Sequence, residues 1–226
     1  MKISKLKELS IQIVDGTHST IKDDDEGEYF LLSCKNIKNG QVVFDSNDRK
    51  ISLETFRSLR KRTKLQKNDI LVTTVGTIGE MAILKENENP FEFQRSVGIV
   101  KPDAHKINPL YLYYYMKSSF FQNYIKSVSR GVAQQCLFLG PLDNSKINYP
   151  ENPSIQTKIS FILSRYDDLI DNNVKRIEIL EKIAKIIFDE WFVKFKFPGH
   201  EKVKMVDSEF GKIPEGWEVK KLGEVL

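Results

Sequence analysis

Apolar and polar positions follow two rhythms along the chain. Over residues 1–150 the pattern is mixed. Short runs rich in β-branched and aromatic residues, at 29–34, 41–44, 70–75, 81–84 and 97–100, are separated by Gly, Asn and Asp, which is how strands joined by turns read. Two helices are predicted among them, at 52–64 and 109–128. Pro109 suits a first helical turn, and Asn108 before it is a good N-cap. Tyr111, Tyr114 and Tyr115 then share one helical face with Leu112 and Met116 nearby, a pattern for packing against a sheet more than for stacking unpaired bases. Elements in this order predict an α+β fold on a mixed or antiparallel sheet, not a βαβ repeat.

The rhythm changes at residue 154. From there to 196 there is neither Gly nor Pro, and a seam runs through Ile155, Ile159, Ile162, Tyr166, Leu169, Asn173, Ile177, Leu180, Ala184, Ile187 and Trp191. Its spacing alternates four and three except for one stutter after Asn173, the pattern of a helix that pairs with another. Ser154 is placed as its N-cap, and Pro198-Gly199 ends it. Such a helix would be roughly 64 Å long at 1.5 Å per residue, more than one small domain can cover. The seam therefore predicts a partner helix, with Asn173 as the polar position that fixes register. Beyond it lies a polar linker, and then Lys220 to Val225 echoes Ser4 to Leu9. The expected domains are 1–150, 151–197 for the helix, and 198–226 for a linker and the start of a second unit like the first.

Length and charge sharpen this division. The 226 residues exceed one ~150-residue domain by about half, and the excess is the helix and the segment beyond it. Residues 1–150 hold 22 Lys/Arg against 17 Asp/Glu, whereas 151–226 hold 13 against 14. Within the first part, 49–67 carries eight basic residues and one acid, and 93–150 carries seven against two. Two acid-poor basic segments in one domain point to a polyanion, since phosphate contacts supply most nonspecific nucleic-acid affinity. No apolar run approaches a membrane span and the first residues lack a signal peptide's apolar stretch, so a cytoplasmic protein is expected. The two cysteines, Cys34 and Cys136, form no CxxC and read as buried thiols without disulfide or zinc.

Four motifs in the first part carry polar groups in Gly-bounded loops: Asp15-Gly16-Thr17-His18-Ser19-Thr20, Gly76-Thr77-Ile78-Gly79-Glu80-Met81-Ala82-Ile83, Gln94-Arg95-Ser96-Val97-Gly98-Ile99-Val100 and Ser129-Arg130-Gly131-Val132-Ala133-Gln134-Gln135. With Ile155-Gln156 and Trp191-Phe192-Val193-Lys194-Phe195 at the helix ends, and Gly211-Lys212-Ile213-Pro214-Glu215-Gly216-Trp217 beyond it, their order resembles the specificity (S) subunit of type I restriction-modification systems. The resemblance implies target-recognition domains that each read half of a split double-stranded DNA site, and helices that pair as a coiled coil. This chain departs from the full pattern in having one recognition domain and one long helix. It resembles a half-length subunit, expected to form a homodimer through the helix. The resemblance also implies methyltransferase (M) and restriction/translocase (R) subunits as partners, with S-adenosylmethionine, ATP and Mg belonging to those subunits. An alternative is an assembly adaptor that exchanges its coiled coil with a longer S subunit.

Catalytic patterns are missing from the sequence. There is no GxxxxGK[ST] loop and no GxGxxG, and His18, His105 and His200 are too scattered to suggest a metal site. Base reading in the major groove calls for Arg or Lys against guanine, Asn or Gln against adenine, and hydroxyls more promiscuously. The expected readers are Thr17, His18, Ser19, Thr73, Thr74, Thr77, Gln94, Arg95, Ser96, Arg130, Gln134 and Gln135. Gly76 to Gly79 reads equally well as an ordinary turn. Arg57, Arg60, Lys61, Arg62 and Lys64 form a dense basic run that suits phosphates more than bases.

Overall fold

The computed structural model describes residues 1–86, 90–131 and 135–224. The strands are β1 (Lys2–Lys5), β2 (Ser10–Asp15), β3 (Tyr29–Leu32), β4 (Ile37–Lys38), β5 (Gln41–Val42), β6 (Arg49–Ile51), β7 (Ile70–Thr73), β8 (Met81–Ile83), β9 (Phe91–Phe93), β10 (Val97–Pro102), β11 (Lys146–Tyr149), β12 (Met205–Ser208) and β13 (Gly211–Pro214). The helices are α1 (Leu53–Thr63), α2 (Pro109–Lys117), α3 (Ser119–Val128), α4 (Leu139–Asp143) and α5 (Pro153–Phe188). The expected α+β class is what the chain adopts. Among the described residues no helix is long and apolar enough to cross a membrane.

Chain contacts divide the molecule into residues 1–164 and 165–226. In the first unit the centre is a four-stranded antiparallel sheet in the order β2-β10-β7-β8. Alternate residues of β7 enter two different cores. Ile70 and Val72 join Leu112, Met116, Phe121 and Ile125 of α2 and α3, while Leu71 joins Leu32, Phe93 and Ile99 on the other face. Burial on both faces explains why 70–72 is an unbroken apolar run and not an alternating one. A second sheet, β6-β3-β9, pairs β3 and β9 in parallel, and β1 pairs with β11.

Three sequence expectations are corrected. The predicted helix 109–128 is two helices, because Ser118 adopts an extended backbone and its Oγ accepts from Phe121 N–H at 3.4 Å to cap α3. Tyr113, not assigned to the packing face, is the most buried of the tyrosine run, at 2% exposure against 8% for Tyr111. The cap of α5 is Asn152, whose Oδ1 accepts from Ser154 N–H at 2.9 Å, and Ser154 lies inside the first turn.

In residues 165–226, α5 continues to Phe188 and loosens into a π-helical turn at Asp189–Val193. The segment expected to be a linker forms the β12-β13 hairpin. Trp217 then packs against Phe192, Phe195 and Phe197, stacking on Phe197 at 5.8 Å between centroids. Leu6–Glu8 and Leu222–Glu224 are both 3-10 turns.

Candidate nucleic-acid interface

Two of the sequence motifs, through Asp15, His18 and Arg95, and residues flanking the other two, Thr74, Val75 and Cys136, meet at one recess. Thr17 bridges Gln94, donates its N–H to Phe93 O at 2.7 Å and accepts from Arg95 N–H at 2.9 Å. Thr74 donates its N–H to Ser96 O and its hydroxyl to Arg95 O at 3.1 Å. Leu137 donates its N–H to Thr74 O, Val75 bridges Cys136, and Cys136 bridges Arg130. Together these contacts enclose a cavity of about 350 Å³ whose lining combines Asp15, His18 and Arg95 with Val75, Leu137 and Phe138. Gly16 makes this approach possible: a Cβ there would lie 2.1 Å from Phe93 O, so the loop at 16–20 passes backbone against backbone.

Exposure separates groups that can reach a ligand from those that hold the loops. His18, Ser19, Thr77, Arg95, Arg130 and Gln135 are exposed, and Gln94 and Ser96 half-buried. Thr73, Thr74 and Thr17 are buried at 0%, 4% and 8%. Thr73 Oγ1 donates to Thr77 O and accepts from Glu80 N–H at 3.0 Å, and Thr17 Oγ1 accepts from Ser19 N–H at 3.1 Å. These three hydroxyls, expected to face bases, are buried and engaged in the scaffold. Ser96 Oγ also accepts from Cys34 N–H, at 3.0 Å. Gly76 and Gly79 have left-handed backbones (φ +79° and +90°), and Gln122 Nε2 donates to Gly79 O at 3.0 Å, so the Thr77 loop is a turn that the structure fixes from both sides. Gln134 lies outside the described residues.

Helix α1 divides the basic run by its periodicity. Arg57 and Lys61, at i and i+4, are exposed, as is Lys64, just beyond the helix at its left-handed C-cap. Arg60 belongs with Phe56 and Thr63 on the opposite face: its guanidinium lies 4.8 Å over the Phe56 ring, donates to Leu65 O and Phe91 O at 3.1 and 2.9 Å, and pairs with Glu92. Glu92 is fully buried and also accepts from Thr63 Oγ1 at 2.8 Å. Burial pushes the Glu92 carboxyl up from its ordinary range, against the pull of Arg60 and Thr63. Asp69, buried with Lys101, is raised for the same reason. Arg60, expected among the phosphate contacts, thus commits its guanidinium to Phe56, Leu65, Phe91 and Glu92. Arg62 turns toward the recess, donating to Asp15 O at 2.5 Å and to Gly16 O, with Asp15 Oδ1 3.5 Å away.

Asp15, Cys136 and Phe138 line the recess, although residue type alone does not single them out as candidates. Asp15 stands one position before the Gly of its motif; Phe138, 57% exposed, has no sequence signal beyond its aromatic ring. Neither cysteine is buried; both are half-exposed. Among the described residues no group of three or more His, Cys, Asp or Glu side chains could hold a metal ion.

The seam residues of α5 behave differently from any other apolar set. Ile155, Ile159, Ile162, Tyr166, Leu169, Ile177, Leu180, Ile187 and Trp191 are all exposed, as are Asn173 and Ala184. By contrast Gln156 and Ser160, in the first turns of the same helix, are buried. The Gln156 side chain anchors the helix start, its Oε1 accepting from Asn108 N–H and its Nε2 donating to Pro150 O, at 2.8 and 2.7 Å.

Comparisons with known proteins agree with this architecture. Residues 1–182 match the profile of the type I restriction modification DNA specificity domain. The chain is 33% identical over 226 residues to the type I restriction enzyme MjaIX specificity subunit of Methanocaldococcus jannaschii, covering 99% of this chain and 51% of that protein. It is 29% identical over 224 residues to the MjaVIII specificity subunit of the same organism, covering 96% and 47%. Its fold superposes on the S subunit of the type I restriction-modification system from M. genitalium with a TM-score of 0.65 at 19% identity, over 91% of this chain and 51% of that one. The chain spans about half the length of the curated relatives it matches. With a profile match over most of its length and a relative this similar across its whole length, the chain belongs to the type I restriction-modification DNA specificity domain family.

Proposed function

We propose that this chain is a non-catalytic recognition subunit that reads one half of a bipartite double-stranded DNA site. One observation carries the reading: His18 and Arg95, both exposed and drawn from distant segments, line one recess beside Cys136, which bridges the exposed Arg130, and Arg62 ties that recess to the basic helix α1. Side chains able to read base edges thus adjoin side chains able to neutralise phosphates. In this reading Arg57, Lys61 and Lys64 follow the backbone and the exposed loop residues carry the sequence information.

The exposed seam of α5 supports a homodimer. Two copies paired through it would present two recognition units and read a symmetric two-part sequence, with helix length setting the gap. Methyltransferase and restriction/translocase subunits would dock on that assembly and bring the S-adenosylmethionine, ATP and Mg that modification and cleavage need. Mapping methylated bases in a cell that expresses this chain with its methyltransferase tests the whole reading. A palindromic split motif is the expected result. A motif that emerges only when a longer S subunit is supplied would instead make this chain an adaptor.

A further inference from the structure

Arg62 belongs by sequence to the basic run of α1, yet its guanidinium does not join the exposed stripe. It donates to the carbonyls of Asp15 and Gly16 and approaches the Asp15 carboxylate at 3.5 Å. The other oxygen of that carboxylate, Oδ2, lies 2.5 Å from His18 Nε2. A carboxylate can only accept, so Nε2 carries the hydrogen, and in the neutral imidazole Nδ1 then keeps its lone pair. The His18 side chain is 60% exposed, and Nδ1 has no partner among the described residues. An acceptor presented from a fixed ring complements a hydrogen-bond donor, and in the major groove the base donors are the exocyclic amino groups of adenine and cytosine.

We propose that Arg62 is a positioning residue for base readout: through Asp15 it holds His18 so that Nδ1 accepts from the amino group of an adenine or cytosine. The inference rests on the recognition function proposed above and gives one member of the basic cluster a different task from its neighbours. Arg62 does this where Lys could not, because it spans two carbonyls and a carboxylate at once and an ammonium is a single point of charge.

The distinguishing variant is Arg62→Lys, which keeps the charge and removes the fork. The full chain, in complex with its methyltransferase, is titrated against its target duplex and against duplexes changed at one base pair, across a range of salt. Arg62→Lys is expected to keep the wild-type salt slope and to lose about tenfold discrimination, roughly 1.4 kcal/mol, at the base pair that His18→Ala also relaxes. Lys61→Ala should do the reverse, lowering the salt slope by about one and keeping every base preference. An unchanged thermal melt for Arg62→Lys separates misplacement of His18 from failure to fold. If Arg62→Lys discriminates as wild type does, or if His18→Ala relaxes no base pair, the positioning role is wrong while the recognition function stands. A wild-type complex with no sequence preference overturns both.

Discussion

Isoleucine 99 and isoleucine 177 show how differently the two parts of this molecule use the same side chain. Ile99, on β10, is fully buried between the central sheet and the core that contains Leu32 and Phe93. Ile177, in the middle of α5, is 55% exposed, and so are its seam neighbours along the helix. The sheets of residues 1–150 bury their apolar pattern in two cores, whereas the apolar seam of α5 is exposed along its length. Stability and assembly should accordingly respond to different substitutions. Ile99→Ala is expected to lower the unfolding free energy by roughly 3 kcal/mol, within the range for a buried isoleucine that leaves a cavity, as read by urea denaturation. Leu169→Lys with Leu180→Lys should leave that transition near its wild-type midpoint and yield monomers by sedimentation velocity. A seam variant that stays dimeric would end the pairing model.

The buried charges of residues 1–164 give the second contrast. Glu92 and Arg60 face each other beneath α1, while Arg165 and Asp168 on α5 lie 3.6 Å apart and more than half exposed. Glu92→Ala is expected to cost about 2 kcal/mol. That is less than the ~3–5 kcal/mol of a buried pair broken outright, because Arg60 keeps its bonds to Leu65 O and Phe91 O. Asp168→Ala should change stability immeasurably, as exposed pairs usually do. Comparable effects from the two substitutions, in the same denaturation experiment, would contradict the separation drawn here.

These contrasts also explain what can be read from the amino acids. The α5 seam is legible because a helical period needs no knowledge of the partner. Its start is displaced by two residues from the sequence expectation, although Asn152-Pro153 repeats the Asn108-Pro109 cap of α2. Strands β1, β2, β6, β9 and β11 lie outside the β-rich runs of the sequence: β1 pairs with β11 across more than 140 residues, and only that pairing makes a polar segment such as Lys2–Lys5 a strand. At the site, residue type identifies the loops but not the direction of each side chain. Thr73 and Thr74 have hydroxyls suited to bases, and burial commits both to backbone carbonyls. Arg60 and Arg62 group with Lys61 by charge, and the helical turn separates them.

Asn173 makes the seam itself testable. It occupies the stutter of α5, where a polar group would lie between the two helices at a cost in affinity and a gain in register. Asn173→Leu is expected to tighten self-association about tenfold, roughly 1.4 kcal/mol, and to broaden the species distribution in sedimentation velocity as other registers become accessible. If affinity falls instead, Asn173 makes a favourable contact across the interface, and its role is adhesive.

A further contrast concerns acid, and it again falls in residues 1–164. Asp48 is buried beneath the β4-β5 segment, accepting from Asn36 Nδ2 at 2.8 Å and Asp45 N–H at 2.6 Å, with Lys35 Nζ at 2.9 Å. Burial alone would raise its carboxyl, but these three partners outweigh it and hold the group below its ordinary 3.8. A depressed acid stabilises the fold wherever it is ionised and loses that contribution as pH falls through the folded-state value. Asp48→Asn should therefore cost roughly 1 kcal/mol at pH 7, and the gap to wild type should close as pH is lowered below 3.8. Glu92 and Asp69 shift the opposite way, so wild-type stability alone would mix the signs; the difference between the two proteins, followed by thermal melting, isolates Asp48. A gap that stays constant down to the acid transition would mean that the hydrogen-bond geometry, and not the charge, is what the loop uses.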